Sequence, residues 1–142
     1  MHEVTVSASV RAPAEHVFDF LVDNRNDPLW CPLASDTELV EGEPGVGAVY
    51  RFEQWQGPGR PLLTTWMRTV EADRPSRLVW DGADRGLAYH AEIVLDQRDR
   101  RTRVRHTNRV TLPSRPEQLA WWTTANVVLR LQLRNLKREL DR

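Results

Sequence analysis

Cysteine is nearly missing from this chain of 142 residues: Cys31 stands alone, so no internal disulfide can form and no thiolate zinc cluster can be built. Lysine is as scarce. Of twenty basic residues nineteen are arginine and Lys137 is the exception, and twenty acidic residues bring the formal net charge to zero. Without an excess of either sign there is no general pull toward nucleic acid or an anionic membrane, any such binding would need a local patch, and nucleic acid is not expected as a partner. No stretch approaches the roughly 18 apolar residues of a membrane span, and no basic-then-apolar segment opens the chain, so a cytoplasmic location is the expectation. Seven glycines and nine prolines are too few for a collagen-like or low-complexity chain. A composition of 40% hydrophobic and 28% charged residues is globular, and one domain over 1–142 is long enough for a single core.

What is present divides into three kinds of segment. Val4 to Val10 alternates apolar or small with polar residues at period two, as a half-buried strand does. Pro13 and Glu15 then suit a helix start, and Val17, Phe18, Leu21 and Val22 recur at helical spacing, which predicts a short helix over 13–22. Asp23 to Pro28 stops it, and a second brief helical turn carries Leu29, Trp30 and Cys31. Turn clusters at 42–45, 57–61, 73–76 and 96–99 separate strand-like runs at about 34–41, 47–55, 62–71, 77–82, 86–96 and 101–112. Six closely spaced strands predict an antiparallel meander. Residues 117–140 contain neither Gly nor Pro, and Leu119, Trp122, Asn126, Leu129, Leu133, Leu136 and Leu140 step by three and four, which predicts one long helix with a continuous inward stripe.

The order is β-α-α-β-β-β-β-β-β-α, an α+β chain in which seven twisted strands can wrap a long helix. Particular stretches carry a resemblance: Val6 to Asp23 with its Ala12-Pro13 helix start, Asp27-Pro28-Leu29-Trp30-Cys31-Pro32, Gly45-Val46-Gly47, Arg74-Pro75-Ser76-Arg77-Leu78-Val79-Trp80 and Arg101-Thr102-Arg103-Val104. Their order and spacing resemble the START-like, or polyketide cyclase and lipid transport (SRPBCC), superfamily over nearly the full chain. The resemblance implies the helix-grip, Bet v 1-like fold: a seven-stranded antiparallel sheet around a C-terminal helix, enclosing a hydrophobic or aromatic small molecule such as a polyketide or lipid. Some members are aromatases or cyclases that fold a poly-β-keto chain and remove water with a few Arg, His, Tyr, Asp or Ser groups. No cofactor is implied.

Strand parity selects the candidate pocket. Val104, His106, Asn108 and Val110 share one face of strand 101–112, while Arg103, Arg105, Thr107, Arg109 and Thr111 share the other; the first is the inward expectation. Placing Val70 inside brings Trp66 and Arg68 inward with it. The inner surface would then hold Trp30, Tyr50, Phe52, Trp66, Trp80, Tyr89 and Trp122, interrupted by Arg68, His106, Asn108 and Asn126. Four such polar groups are costly in a closed core, on the order of 1–3 kcal/mol each when unpaired. A pocket of roughly 300 Å³ or more relieves that cost, although hydrogen bonds from His106 and Asn108 to neighbouring groups or buried water would also satisfy them with no ligand. For a cyclase or dehydratase, Arg68 would polarise a carbonyl and His106, with an ordinary pKa of about 6.5, would take the α-proton. The four histidines lack metal-ligand spacing, and no metal is expected. The arginine run from Arg98 to Arg109 reads as a solvated strand face.

Two other functions remain open on these residues: a carrier or sensor that binds without turnover, and a protein-interaction module of the same fold. Trp121 and Val128, one heptad apart on the helix side opposite the stripe, make a homodimer the expectation for assembly.

Overall fold

The computed structural model describes residues 2–55, 58–59, 61–84 and 87–141; the expected 57–61 turn falls partly outside them. β1 (His2–Val10) leads to α1 (Ala14–Val22), a short 3-10 helix (Asn24–Leu29), β2 (Ala34–Glu41), β3 (Val49–Gln54), β4 (Leu63–Asp73), β5 (Arg77–Asp84), β6 (Leu87–Arg98), β7 (Arg101–Thr111) and α2 (Arg115–Leu140). The strands form one antiparallel sheet in the order β1-β7-β6-β5-β4-β3-β2, so the meander runs unbroken from β2 to β7 and β1 joins at the edge beside β7. The second helical turn lies earlier than expected. Asp23 caps it through Arg25 N, and the turn occupies Asn24–Leu29, the stretch that reads as a helix stop.

α2 starts at a capped end: Ser114 Oγ accepts from Glu117 N at 3.3 Å, Pro116 occupies the first turn, and Glu117 places a carboxylate near the helix N-terminus. Gln118 fastens that end to the sheet, accepting from Leu112 N at 2.9 Å and donating to Val110 O at 2.8 Å. At the other end Asp141 Oδ1 accepts from Arg11 N at 2.6 Å. Leu129, Leu133, Leu136 and Leu140 of α2 close the core against Val4, Val6 and Val10 of β1, Val17, Phe18 and Leu21 of α1, and Leu78, Ile93 and Val104 of the sheet. Each of the fully buried aliphatic side chains contributes about 1.5–3 kcal/mol over its exposed state. No helix among the described residues is long and apolar enough to cross a membrane.

Two expectations fail here for local reasons. β4 turns Thr65, Met67 and Thr69 inward and leaves Trp66, Arg68 and Val70 exposed. Val70, the anchor of the opposite assignment, is the extra residue of a β-bulge: Thr69 pairs with Trp80 and Glu71 with Val79, and Val70 is skipped. Val70 therefore lies on the outer face despite being apolar, and taking it as inward misplaces Arg68 and Trp66, which share its parity. In α2 the predicted stripe holds from Leu129 to Leu140, but Leu119, Trp122 and Asn126 are exposed, and Trp121 and Ala125 face inward instead. The C-terminal half packs on a closed core, whereas the first half lies over a cavity, so its inward face is displaced by one residue, about 100° around the helix.

Candidate functional site

The cavity between sheet and α2 has a volume of about 260 Å³, somewhat below the expected size. Each wall comes from a regular element. β3 contributes Phe52 and Gln54; β4 Leu63, Thr65 and Met67; β5 Trp80; β6 Tyr89 and Ala91; and β7 His106, Asn108 and Val110. α2 closes the top with Trp121, Thr124, Ala125, Val128 and Gln132, while the 3-10 helix and the loop after it supply Asn24, Asp27, Trp30 and Cys31.

Of the side chains expected here, Trp30, Phe52, Trp80, Tyr89, His106 and Asn108 line the cavity. Tyr50 does not. Its ring is fully buried in the core beside the cavity, and its hydroxyl donates to Val22 O at 3.3 Å, tying the end of α1 to the sheet. Trp66 and Arg68 project from the opposite face of the sheet, and Trp122 and Asn126 from the outer side of α2. Trp121 and Val128, the pair behind the homodimer expectation, line the cavity instead of an outward helix face open to a second copy.

Arg68 belongs to a row of polar groups crossing the outer face of the sheet. It pairs with Asp81, Asp81 with His90, His90 with Arg109 and Arg109 with Glu3. The Asp81–His90 contact is 2.5 Å and Arg109 Nε donates to Glu3 at 2.6 Å. Arg103, Arg105 and Arg109 are exposed on this same face, as a solvated strand face requires. Arg68→Ala is therefore expected to change stability by no more than about 0.5 kcal/mol and ligand affinity by less than twofold. A large affinity loss in a direct titration would return Arg68 to the ligand's side of the sheet.

The polar groups of the cavity centre on a network that sequence reasoning missed. Asn24 Nδ2 donates to Asp27 at 3.1 and 3.3 Å, and Trp80 Nε1 donates to Asn24 Oδ1 at 2.9 Å. This locks the 3-10 helix against β5 and buries a carboxyl. Burial pushes the Asp27 pKa up to about 7, against the opposing pull of the Asn24 amide. Trp30 Nε1 lies close to Asp27 without a hydrogen bond of ordinary geometry. Burial also raises the Cys31 thiol and the Tyr89 hydroxyl above their ordinary values, while Tyr89 lies near enough to Asp27 to feel its charge. His106 goes the other way. Desolvation lowers its pKa to about 4; its ring tilts against Trp30 with centroids 6.0 Å apart, Nε2 meets the Asn108 amide at 3.5 Å, and Nδ1 has no partner. Across β5–β6, Gly82 faces Tyr89, whose ring covers it so closely that a Cβ there would lie 2.2 Å from Cε1.

Asn24 and Asp27 are three residues apart, the repeat of a 3-10 turn, and that spacing was the available signal that they share a face. The basicity expected of His106 is corrected by its surroundings, since a neutral imidazole in a dry wall is a weak base. The carboxyl that titrates near neutrality is Asp27.

A family model described as polyketide cyclase / dehydrase and lipid transport matches residues 1–141. No curated protein matches the chain in sequence. Among solved structures, the Zhui aromatase/cyclase from Streptomyces sp. R1128 is similar at a TM-score of 0.80 and 18% identity, over 99% of this chain and 94% of that one. The di-domain aromatase/cyclase BexL of the BE-7585A biosynthetic pathway gives 0.72 and 19%, over 99% of this chain but only 50% of BexL. Ara h 8.0201 gives 0.65 and 14%, over 95% and 97%. At such identities the likeness establishes the helix-grip fold and leaves the chemistry to the site.

Proposed function

This chain belongs to the polyketide cyclase / dehydrase and lipid transport family, and from that membership we propose that it holds a hydrophobic or aromatic small molecule, polyketide-like or lipid-like, between the sheet and α2. The observation that carries the reading is the cavity with Trp30, Phe52, Trp80, Tyr89 and Trp121 in its walls and a few polar groups among them. Aromatic walls with a small number of polar groups are the usual lining of a small-molecule site.

Two of the similar structures are aromatase/cyclases by description, so a cyclase or dehydratase is the enzymatic form of this reading. Such a reaction moves a proton from an α-carbon to a base and delivers one to a ketone oxygen or a departing hydroxyl, releasing water. Asp27 suits either transfer, because a pKa of about 7 lets one carboxyl give and take a proton at neutral pH. Binding without turnover, as a carrier or sensor, is favoured by a different observation: among the described residues no Arg or Lys lines the cavity to polarise a carbonyl.

Three tryptophans in the wall make the test direct. Titration with aromatic polyketides and fatty alcohols is expected to shift tryptophan emission, and Ala125→Trp, which fills the cavity from α2, is expected to abolish the response while the protein stays folded by circular dichroism. Absence of any response or calorimetric heat across the panel would sink the ligand reading and leave an interaction module. Product formation from a poly-β-keto substrate, lost in Asp27→Asn, separates the enzyme from the carrier.

A further inference from the structure

The cavity is hostile to charge of either sign, and this bears on what enters it. Among the described residues its only ionisable side chains are Asp27, Cys31, Tyr89 and His106. None is a fixed cation. The guanidinium expected to meet an acidic ligand, that of Arg68, lies across the sheet, as do those of Arg103, Arg105 and Arg109. An anion seated at the inner wall would lose its hydration with no positive partner and would stand beside the Asp27 carboxyl.

A cation fares little better. It would have to draw the proton from Asp27 and bury the resulting ion pair among Trp30, Trp80 and Tyr89, paying desolvation on both members. The cavity already neutralises its own groups, pushing Asp27 toward the protonated acid and His106 toward the free imidazole. Uncharged hydrogen-bonding capacity, in contrast, is on hand. Among the described residues the Tyr89 hydroxyl has no hydrogen-bond partner, and a protonated Asp27 carboxyl held from one side by Asn24 has an O–H to donate.

We propose that the end of the ligand buried in this cavity is uncharged, an aromatic ketone or phenol whose oxygen sits against Asp27 and Tyr89, and that free carboxylates and amines are rejected. The inference rests on the proposed ligand-binding role and adds the charge class of what is bound. It excludes free fatty acids inserted carboxylate-first, which a pocket with an inward arginine would welcome.

A matched set on one ring system tests it: 2-acetylnaphthalene, 2-naphthol, 2-naphthoate and 2-(aminomethyl)naphthalene, titrated by calorimetry at pH 7.5. The two neutral members are expected to bind at least tenfold more tightly than either ion. The ketone should also take up a fraction of a proton, read from the dependence of the heat on the buffer's ionisation enthalpy, because accepting a hydrogen bond from the protonated carboxyl stabilises that form. The groups facing Asp27 do not titrate in this range: Asp23 is held below its ordinary value by Arg25, Tyr50, Tyr89 and Cys31 are raised by burial, and His106 is lowered to about 4. Proton uptake should therefore vanish in Asp27→Asn. Naphthoate or the amine binding as tightly as the ketone, or uptake that persists in Asp27→Asn, overturns the charge assignment while leaving the cavity a ligand site. If none of the four binds, the ligand-binding role fails and the inference with it.

Discussion

His106→Gln is expected to make thermal stability fall as pH rises from 4 to 7, and Asp27→Asn to make it rise as pH goes from 4 to 6.5, whereas the parent changes little from these two groups. The signs follow from opposite shifts. Asp27 is raised from 3.8 to about 7, so its contribution is fully present below its unfolded pKa and is lost as pH climbs through 7. His106 is lowered from 6.5 to about 4, so its contribution is present above 6.5 and is lost as pH drops through 4. Between those limits the two slopes oppose one another and nearly cancel, and removing either exposes the other. One proton over about 2.5 pH units is on the order of 3 kcal/mol, or roughly 10 °C in Tm for a domain of this size. Asp19, Asp23 and Asp141, each held below the ordinary carboxylate range by an arginine or lysine neighbour, contribute at lower pH and leave this window alone. Calorimetric midpoints at pH 4.5, 5.5, 6.5 and 7.5 measure the slopes. Variants that both follow the parent's profile would show that neither side chain is as dry as described.

The second large effect belongs to Gly82, on which the Tyr89 ring of the cavity wall packs. Gly82→Ala sets a methyl where the Tyr89 ring now lies, with Cε1 at 2.2 Å and Cδ1 at 2.7 Å from the added carbon. The ring has to leave, and the space open to it is the cavity. Overpacking of this kind costs about 1–3 kcal/mol, and a ring swung into the ligand's place should lower affinity at least tenfold. Adding Tyr89→Ala removes the obstacle, so the double variant is expected to recover part of the stability lost by Gly82→Ala, with a coupling of about 0.5–3 kcal/mol in denaturant titrations. A Gly82→Ala protein with unchanged midpoint and affinity would contradict the packing of Tyr89 on Gly82.

Regular strands were the legible part of this molecule. On β6 and β7 an unbroken alternation carries Tyr89, His106 and Asn108 to the inner face together with Ala91, Ile93, Leu95 and Val104, so apolar neighbours announce where the polar ones point. The errors lie where that alternation breaks or loses its driving force. Val70, skipped at a bulge, is an exposed apolar residue that reads as inward and takes Trp66 and Arg68 with it, and nothing in Trp66-Met67-Arg68-Thr69-Val70 marks a bulge. Over the first half of α2 the helix faces a cavity, where no closed core enforces an apolar stripe, so the choice between Trp121 and Trp122 rested on extrapolation from the leucines further along. Asp27 was illegible for another reason. An Asp before Pro28 reads as turn punctuation, and its burial is decided by Asn24 and by Trp80, the latter more than fifty residues away.

The register of β1 bears on how the chain reaches this structure. His2 pairs with Val110 and Val10 with Thr102, so the first strand has no partner in the sheet until residues from the end of the meander exist. At about 5–20 residues per second of synthesis, roughly a hundred intervening residues leave Val4, Val6 and Val10 without their sheet partner for on the order of ten seconds. The meander from β2 to β6, joined by successive hairpins, can assemble during that interval from neighbour contacts alone. α2 then lays its leucines on β1 and clasps Arg11 through Asp141, which makes the closure of β1 and the docking of the last helix late, long-range steps whose loop-closure cost the earlier pairings do not share.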